Sequence, residues 1–137
     1  MVSLAPDYLS ALAAQIGGLS AFLGGFAATF LALFLTLGKE SRAASVAVVA
    51  SALAATAFVL CVIATTSLTA ALHPHAPKGA ISMAETARIA MSLTFLTGMV
   101  ALLISIGASG WVRSRRIGWT TTCFAAVALV FAPMLLK

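Results

Sequence analysis

The chain of 137 residues has no asparagine, two cysteines, two tryptophans, one tyrosine and only three acidic side chains, Asp7, Glu40 and Glu85. Charged residues make up 8% of it, where a soluble domain carries about 25%. That scarcity excludes an ordinary water-soluble globule.

Charge is also missing from the middle of every apolar run. Proton relays and ion-coupled carriers depend on ionisable groups inside the membrane, so neither mechanism has a carrier residue here. A haem held between helices needs a ligand at depth, and both histidines, His73 and His75, fall between runs. The sequence contains no GxSxG, HExxH, CxxC or phosphate-loop pattern, so neither catalysis nor a cofactor is expected. A small multidrug exporter would need a carboxylate in its first span, and a small fluoride channel needs polar pore residues that include Asn; neither is present.

Cys61 lies past the middle of the second run and Cys123 near the start of the fourth. Their axial offset is on the order of 10 Å at 1.5 Å per helical residue, too far for a disulfide within one bundle. Both read as small apolar side chains, facing lipid or packed between helices.

What the chain does have is four long apolar runs, about 9–37, 43–72, 85–112 and 117–136. A helix crosses the hydrocarbon in about 20 residues, so these runs use most of the chain. With 62% hydrophobic residues and a mean hydropathy of +1.13, the expectation is an all-α polytopic membrane protein. It would be a four-helix transmembrane bundle with short loops, forming a single transmembrane domain over residues 1–137.

The net charge of +5 comes from basic residues at the ends of the runs. They read as topology signals that meet the lipid bilayer and anionic phospholipid headgroups, and no nucleic-acid partner is expected. Lys39, Arg42, Arg113, Arg115 and Arg116 fall on one side, and Lys78, Arg88 and Lys137 on the other. The positive-inside bias therefore puts loops one and three in the cytoplasm and both termini outside. Ala, Leu and Arg usage suits a bacterial inner membrane. The start of the chain lacks the basic segment of a secretory signal, so the first span is expected to be retained.

The first run reads as the packing hub. At about 100° per residue, Phe22, Phe26, Phe30 and Phe34 form one stripe, and Gly17, Gly18, Ala21, Gly24, Gly25 and Ala28 gather on the other side. Small side chains let helix backbones approach closely in lipid, while the aromatics fill space against lipid or a partner. In the second run Ala43, Ala47, Ser51 and Ala55 form a similar ladder. Gln15 is expected to hydrogen-bond across helices, and Thr65, Thr66, Ser67 and Thr69 to bond back to their own helix carbonyls.

His73 and His75, with Glu85 downstream, are weak metal candidates, because a site needs three converging ligands and no spacing signature supports one. Ser82 and Glu85 read as a capping box opening the third helix, with Arg88 placed to pair with Glu85. Trp111 and Trp119 bracket Arg113, Arg115 and Arg116, putting two indoles and three guanidinium groups at headgroup level. A weak internal echo relates Phe22, Gly25, Ser41 and Arg42 to Phe95, Gly98, Ser114 and Arg115, each 73 positions later.

Taken together, these features predict a small accessory or scaffold subunit that packs through its Gly/Ala faces with a larger membrane protein complex or as a homo-oligomer. The alternative is a small oligomeric, holin-like pore or transport protein lined by hydroxyl residues.

Overall fold

The computed structural model describes residues 6–37, 41–73 and 80–135. They form four helices, α1 (Pro6–Leu37), α2 (Arg42–Ala71), α3 (Ala80–Arg113) and α4 (Arg115–Leu135). The first three are long and apolar enough to cross a membrane, over Asp7–Thr36, Arg42–Ala71 and Met83–Val112. The fourth is the shortest, at 21 residues.

Ser41 starts α2 as its N-cap: the backbone is extended and the hydroxyl accepts from the amide of Ala44 at 3.1 Å. Ser114 does the same for α4, accepting from the amide of Ile117 at 3.3 Å. The two Ser-Arg junctions of the echo thus share one local structure. Their glycines do not: Gly98 is buried and Gly25 exposed. Helix α3 begins at Ala80, so Ser82 sits within its first turn and is not its cap. The side chains of Ser82 and Arg113, and the whole of His75, lie outside the described residues.

Successive helices run antiparallel, as their contacts show. Ser20 meets Cys61 and Gly24 meets Phe58 between α1 and α2, and Ser51 meets Ser105 between α2 and α3. The order is serial: α2 packs on α1 and α3, α4 packs on α3 alone, and α1 barely touches α3. Among the described residues α1 and α4 do not meet, so both are edge helices. The hub is therefore α2, the most enclosed of the three long helices, and not α1, which is the least enclosed. The reason is stereochemical. The side of α2 that is buried is built mostly of Ala and Ser, which lets both α1 and α3 come close, whereas the Phe and Leu residues of α1 hold neighbours off one side of it.

The interior is made mostly of small side chains, with the larger Leu68, Met91 and Leu102 among them. Ala13, Ala27, Ala47, Ala54, Ser20, Ser51, Cys61 and Ser105 are buried, together with one large ring, Phe58. Large apolar side chains cover the outside on every helix, among them Leu19, Val49, Leu96 and Phe124. Such a coat would be an extreme apolar surface in water, and it suits a solvent of lipid tails.

Buried polar groups are paired within this interior. The Ser51 and Ser105 hydroxyls lie 2.7 Å apart, and Ser105 also donates to the carbonyl of Ala47 at 3.3 Å. Ser20 donates to the Cys61 sulfur at 3.2 Å, and that thiol donates on to the carbonyl of Met91 at 3.6 Å, linking three helices. Hydrogen bonds between helices in lipid are worth about 0.6 kcal/mol on average. Ser105→Ala should therefore lower resistance to denaturing detergent by less than about 1 kcal/mol, and the Ser51→Ala/Ser105→Ala pair should cost less than the sum of the two singles. Additive losses in a double-mutant cycle would mean the hydroxyls act separately.

Candidate functional site

The small residues of α1 divide between two faces. Gly17 and Gly24 point into the protein: a Cβ at Gly17 would lie 2.9 Å from the Thr65 hydroxyl, and one at Gly24 3.2 Å from the Cβ of Phe58. Ala13, Ser20 and Ala27 complete this inward face. Gly18, Ala21, Gly25 and Ala28 are exposed, and a Cβ added at Gly18 or Gly25 would meet nothing within 4 Å. With Ala14 and Ala32, also exposed, they recur at steps of four and three residues, the spacing of a single helix face. The result is a smooth strip along the outside of α1.

Gln15 stands beside this strip. It is exposed, and the expected interhelical hydrogen bond is not formed among the described residues. The helical periodicity explains why: position 15 falls nearly opposite the Ser20 and Ala27 side that meets α2.

The phenylalanines form a continuous ladder, with ring centroids 6.4, 4.8 and 6.1 Å apart from Phe22 through Phe26 and Phe30 to Phe34. They wind from outside to inside. Phe22 is 70% exposed, whereas Phe30 packs on the core of Ala54, Phe58 and Ala101. In α2, Ala47 and Ser51 are buried and Ala55 is half-buried.

Phe58 and Gly98 play a part that sequence reasoning missed. The Phe58 ring fills the space where a Cβ of Gly98 would stand, 2.9–3.0 Å from three of its carbons, while Gly24 lies behind its Cβ. Its ring also meets Phe95 edge-on at 6.2 Å. One signal was available: Phe58 is the sole aromatic residue of an Ala-rich helix, and a bulky ring there needs glycine opposite it.

At the other end of α3, Gly110 and Gly118 make a tight junction between α3 and α4. A Cβ at Gly110 would run into Thr121 and the backbone of Ile117 and Gly118, and one at Gly118 would meet the Trp111 indole. The Trp111 Nε1–H donates to the Thr122 hydroxyl at 3.0 Å, and the Trp111 and Trp119 rings lie 6.2 Å apart. Arg115 and Arg116 are exposed in the first turn of α4. A bulky residue at either glycine should part the two helices. Gly110→Leu is expected to blue- or red-shift the tryptophan emission and to lower detergent resistance; an unchanged spectrum and stability would contradict this junction.

The hydroxyls at the far end of α2 are engaged on their own helix. Thr65 donates to the Val62 carbonyl, Thr66 to Val62 and Ile63, Ser67 to Ile63, and Thr69 to Thr65 and Thr66. His73 and Glu85 are exposed near the same end. Among the described residues no group of three His, Cys, Asp or Glu side chains converges as a metal site would require. Glu85 and Arg88 are both exposed and no ion pair joins them.

Comparison with protein-family models, with curated proteins and with solved structures finds no match to this chain.

Proposed function

We propose that the chain is a small four-span subunit of a bacterial inner membrane, and that it works by assembly, joining a larger membrane complex or its own copies through the outward face of α1. The observation that carries this is the exposed strip Ala14, Gly18, Ala21, Gly25, Ala28 and Ala32 on the least enclosed helix, with Gln15 at its side. A helix facing only lipid gains nothing from so smooth a surface, whereas a second helix gains close backbone contact. Gln15 lies about 10 Å from the middle of α1, inside a hydrocarbon half-thickness of about 15 Å. An amide at that depth is costly without a partner, and a neighbouring helix supplies one.

The fourth span rests on length. The 21 residues of α4 extend about 30 Å, enough for one crossing. Three spans would place the termini on opposite sides of the membrane, and four place them together. In the proposed orientation Arg42, Arg115 and Arg116 face the cytoplasm, following the positive-inside bias.

Gentle extraction of the tagged chain from its native membrane, followed by native mass measurement, tests the proposal. Recovery as a multiple of the 13.9 kDa chain, or with a stoichiometric partner, is the expected outcome. Recovery as a bare monomer under conditions that keep other complexes intact would overturn it. A homogeneous ring would call for conductance measurements, which separate a scaffold from a pore.

A further inference from the structure

Helices α3 and α4 leave an open groove of about 340 Å³ between them, facing outward and lined by Ile104, Gly107, Ala108 and Trp111 on one side and by Thr122 and Ala126 on the other. Its walls are apolar in effect. The Thr122 hydroxyl accepts from Trp111 and donates to the Gly118 carbonyl at 2.7 Å, so no polar group is left to solvate. Glycine and alanine leave room along its floor for a chain the width of a polymethylene.

The groove rises toward a cationic rim. Arg115, Trp119, Thr122 and Ala126 follow one another at steps of four, three and four residues and so share one face of α4. Arg115 therefore lies on the groove's side of α4, about 10 Å along the helix from Thr122, with Arg116 next to it in sequence and no acidic residue in the first turn. The placement of these arginines runs against the helix itself. The amino end of a helix carries partial positive charge and favours anions, and cations there are destabilising. The positive-inside bias accounts for basic residues on this side of the membrane, and Arg113 takes the favourable place in the last turn of α3, which leaves Arg115 and Arg116 at the unfavourable helix end. A bound anion at the rim removes the conflict, because it neutralises both the guanidinium groups and the helix end.

We infer that this groove is a binding site for one anionic phospholipid, its acyl chain lying between α3 and α4 and its phosphate held by Arg115 and Arg116. The occupant follows from the shape and charge together: an apolar slot open to the bilayer, ending at headgroup depth under two indoles, with cations at its mouth. The inference rests on the membrane location proposed above.

Trp111 and Trp119 are the only two tryptophans of the chain and both flank the site, so their fluorescence reports occupancy. The full chain would be placed in phosphatidylcholine vesicles holding a small fraction of lipid brominated on its acyl chain, either phosphatidylglycerol or phosphatidylcholine. Brominated phosphatidylglycerol should quench with an apparent affinity at least about five-fold higher, the scale of one basic residue near a membrane surface. The preference should vanish in Arg115→Gln/Arg116→Gln. It should also fall in Ala108→Leu, which fills the groove and keeps the arginines. Equal quenching by the two lipids overturns the site. So does a preference that survives the arginine changes, and so does one that Ala108→Leu leaves intact, since that describes surface attraction without a groove. If neither lipid quenches, the membrane location fails along with the site.

Discussion

Gly98→Leu is expected to unseat Phe58 and to loosen the three long helices together. A Cβ at position 98 would stand within 3.0 Å of the Phe58 ring, closer than packed carbons come. The ring has nowhere to go, because it is fully buried and Gly24 of α1 backs its Cβ. Overpacking a filled interior costs typically 1–3 kcal/mol, and leucine recovers only about 0.8 kcal/mol through its better helix propensity. The strain falls where α1, α2 and α3 all touch, so a loss of about 2 kcal/mol is expected in detergent unfolding. Phe58→Ala, made in the Gly98→Leu background, should restore part of it by vacating the space. Unchanged stability in Gly98→Leu, or a further loss in the double variant, would show that the ring is not lodged there.

Gly24→Leu and Gly25→Leu, one residue apart, should fail in different ways. Gly24 faces Phe58 and Gly25 faces outward with open space around it. Leucine at 24 therefore pushes α1 off α2 and lowers the stability of the single chain. Leucine at 25 leaves that chain intact, with a gain in helix propensity, but it blocks close approach along the outer strip. The expected result is a monomer of ordinary stability for Gly25→Leu and an unstable chain for Gly24→Leu. Gel filtration in mild detergent with a parallel unfolding series distinguishes them. An assembled Gly25→Leu protein would remove the strip from the interface.

The helices themselves were legible from composition. Long uncharged runs between short polar segments leave the backbone no other way to satisfy its hydrogen bonds in lipid. The hydroxyl clusters of α2 were equally legible, since Thr and Ser bonding to carbonyls three or four residues back is a local matter. What sequence periodicity did not supply was which part of a broad small-residue face turns inward. Gly17, Gly18, Gly24 and Gly25 span about 120° of α1, wider than one neighbour covers, so two of them meet α2 and two do not. The central role of α2 was hidden for a related reason. A helix that is apolar on all sides shows no polar face to mark its outside, and only its partners reveal which residues are buried. Phe58 escaped notice because its meaning depends on Gly98, 40 positions away on another helix.

The outward face of α1 can be examined where it matters, in the native membrane. A photoreactive residue placed at Ala21, on the exposed strip, should give an adduct with a second copy of the chain or with one heavier protein. The same residue at Leu96, exposed on α3, should give lipid adducts alone. If position 21 behaves like position 96 and captures only lipid, α1 faces the bilayer and the chain does not assemble through it.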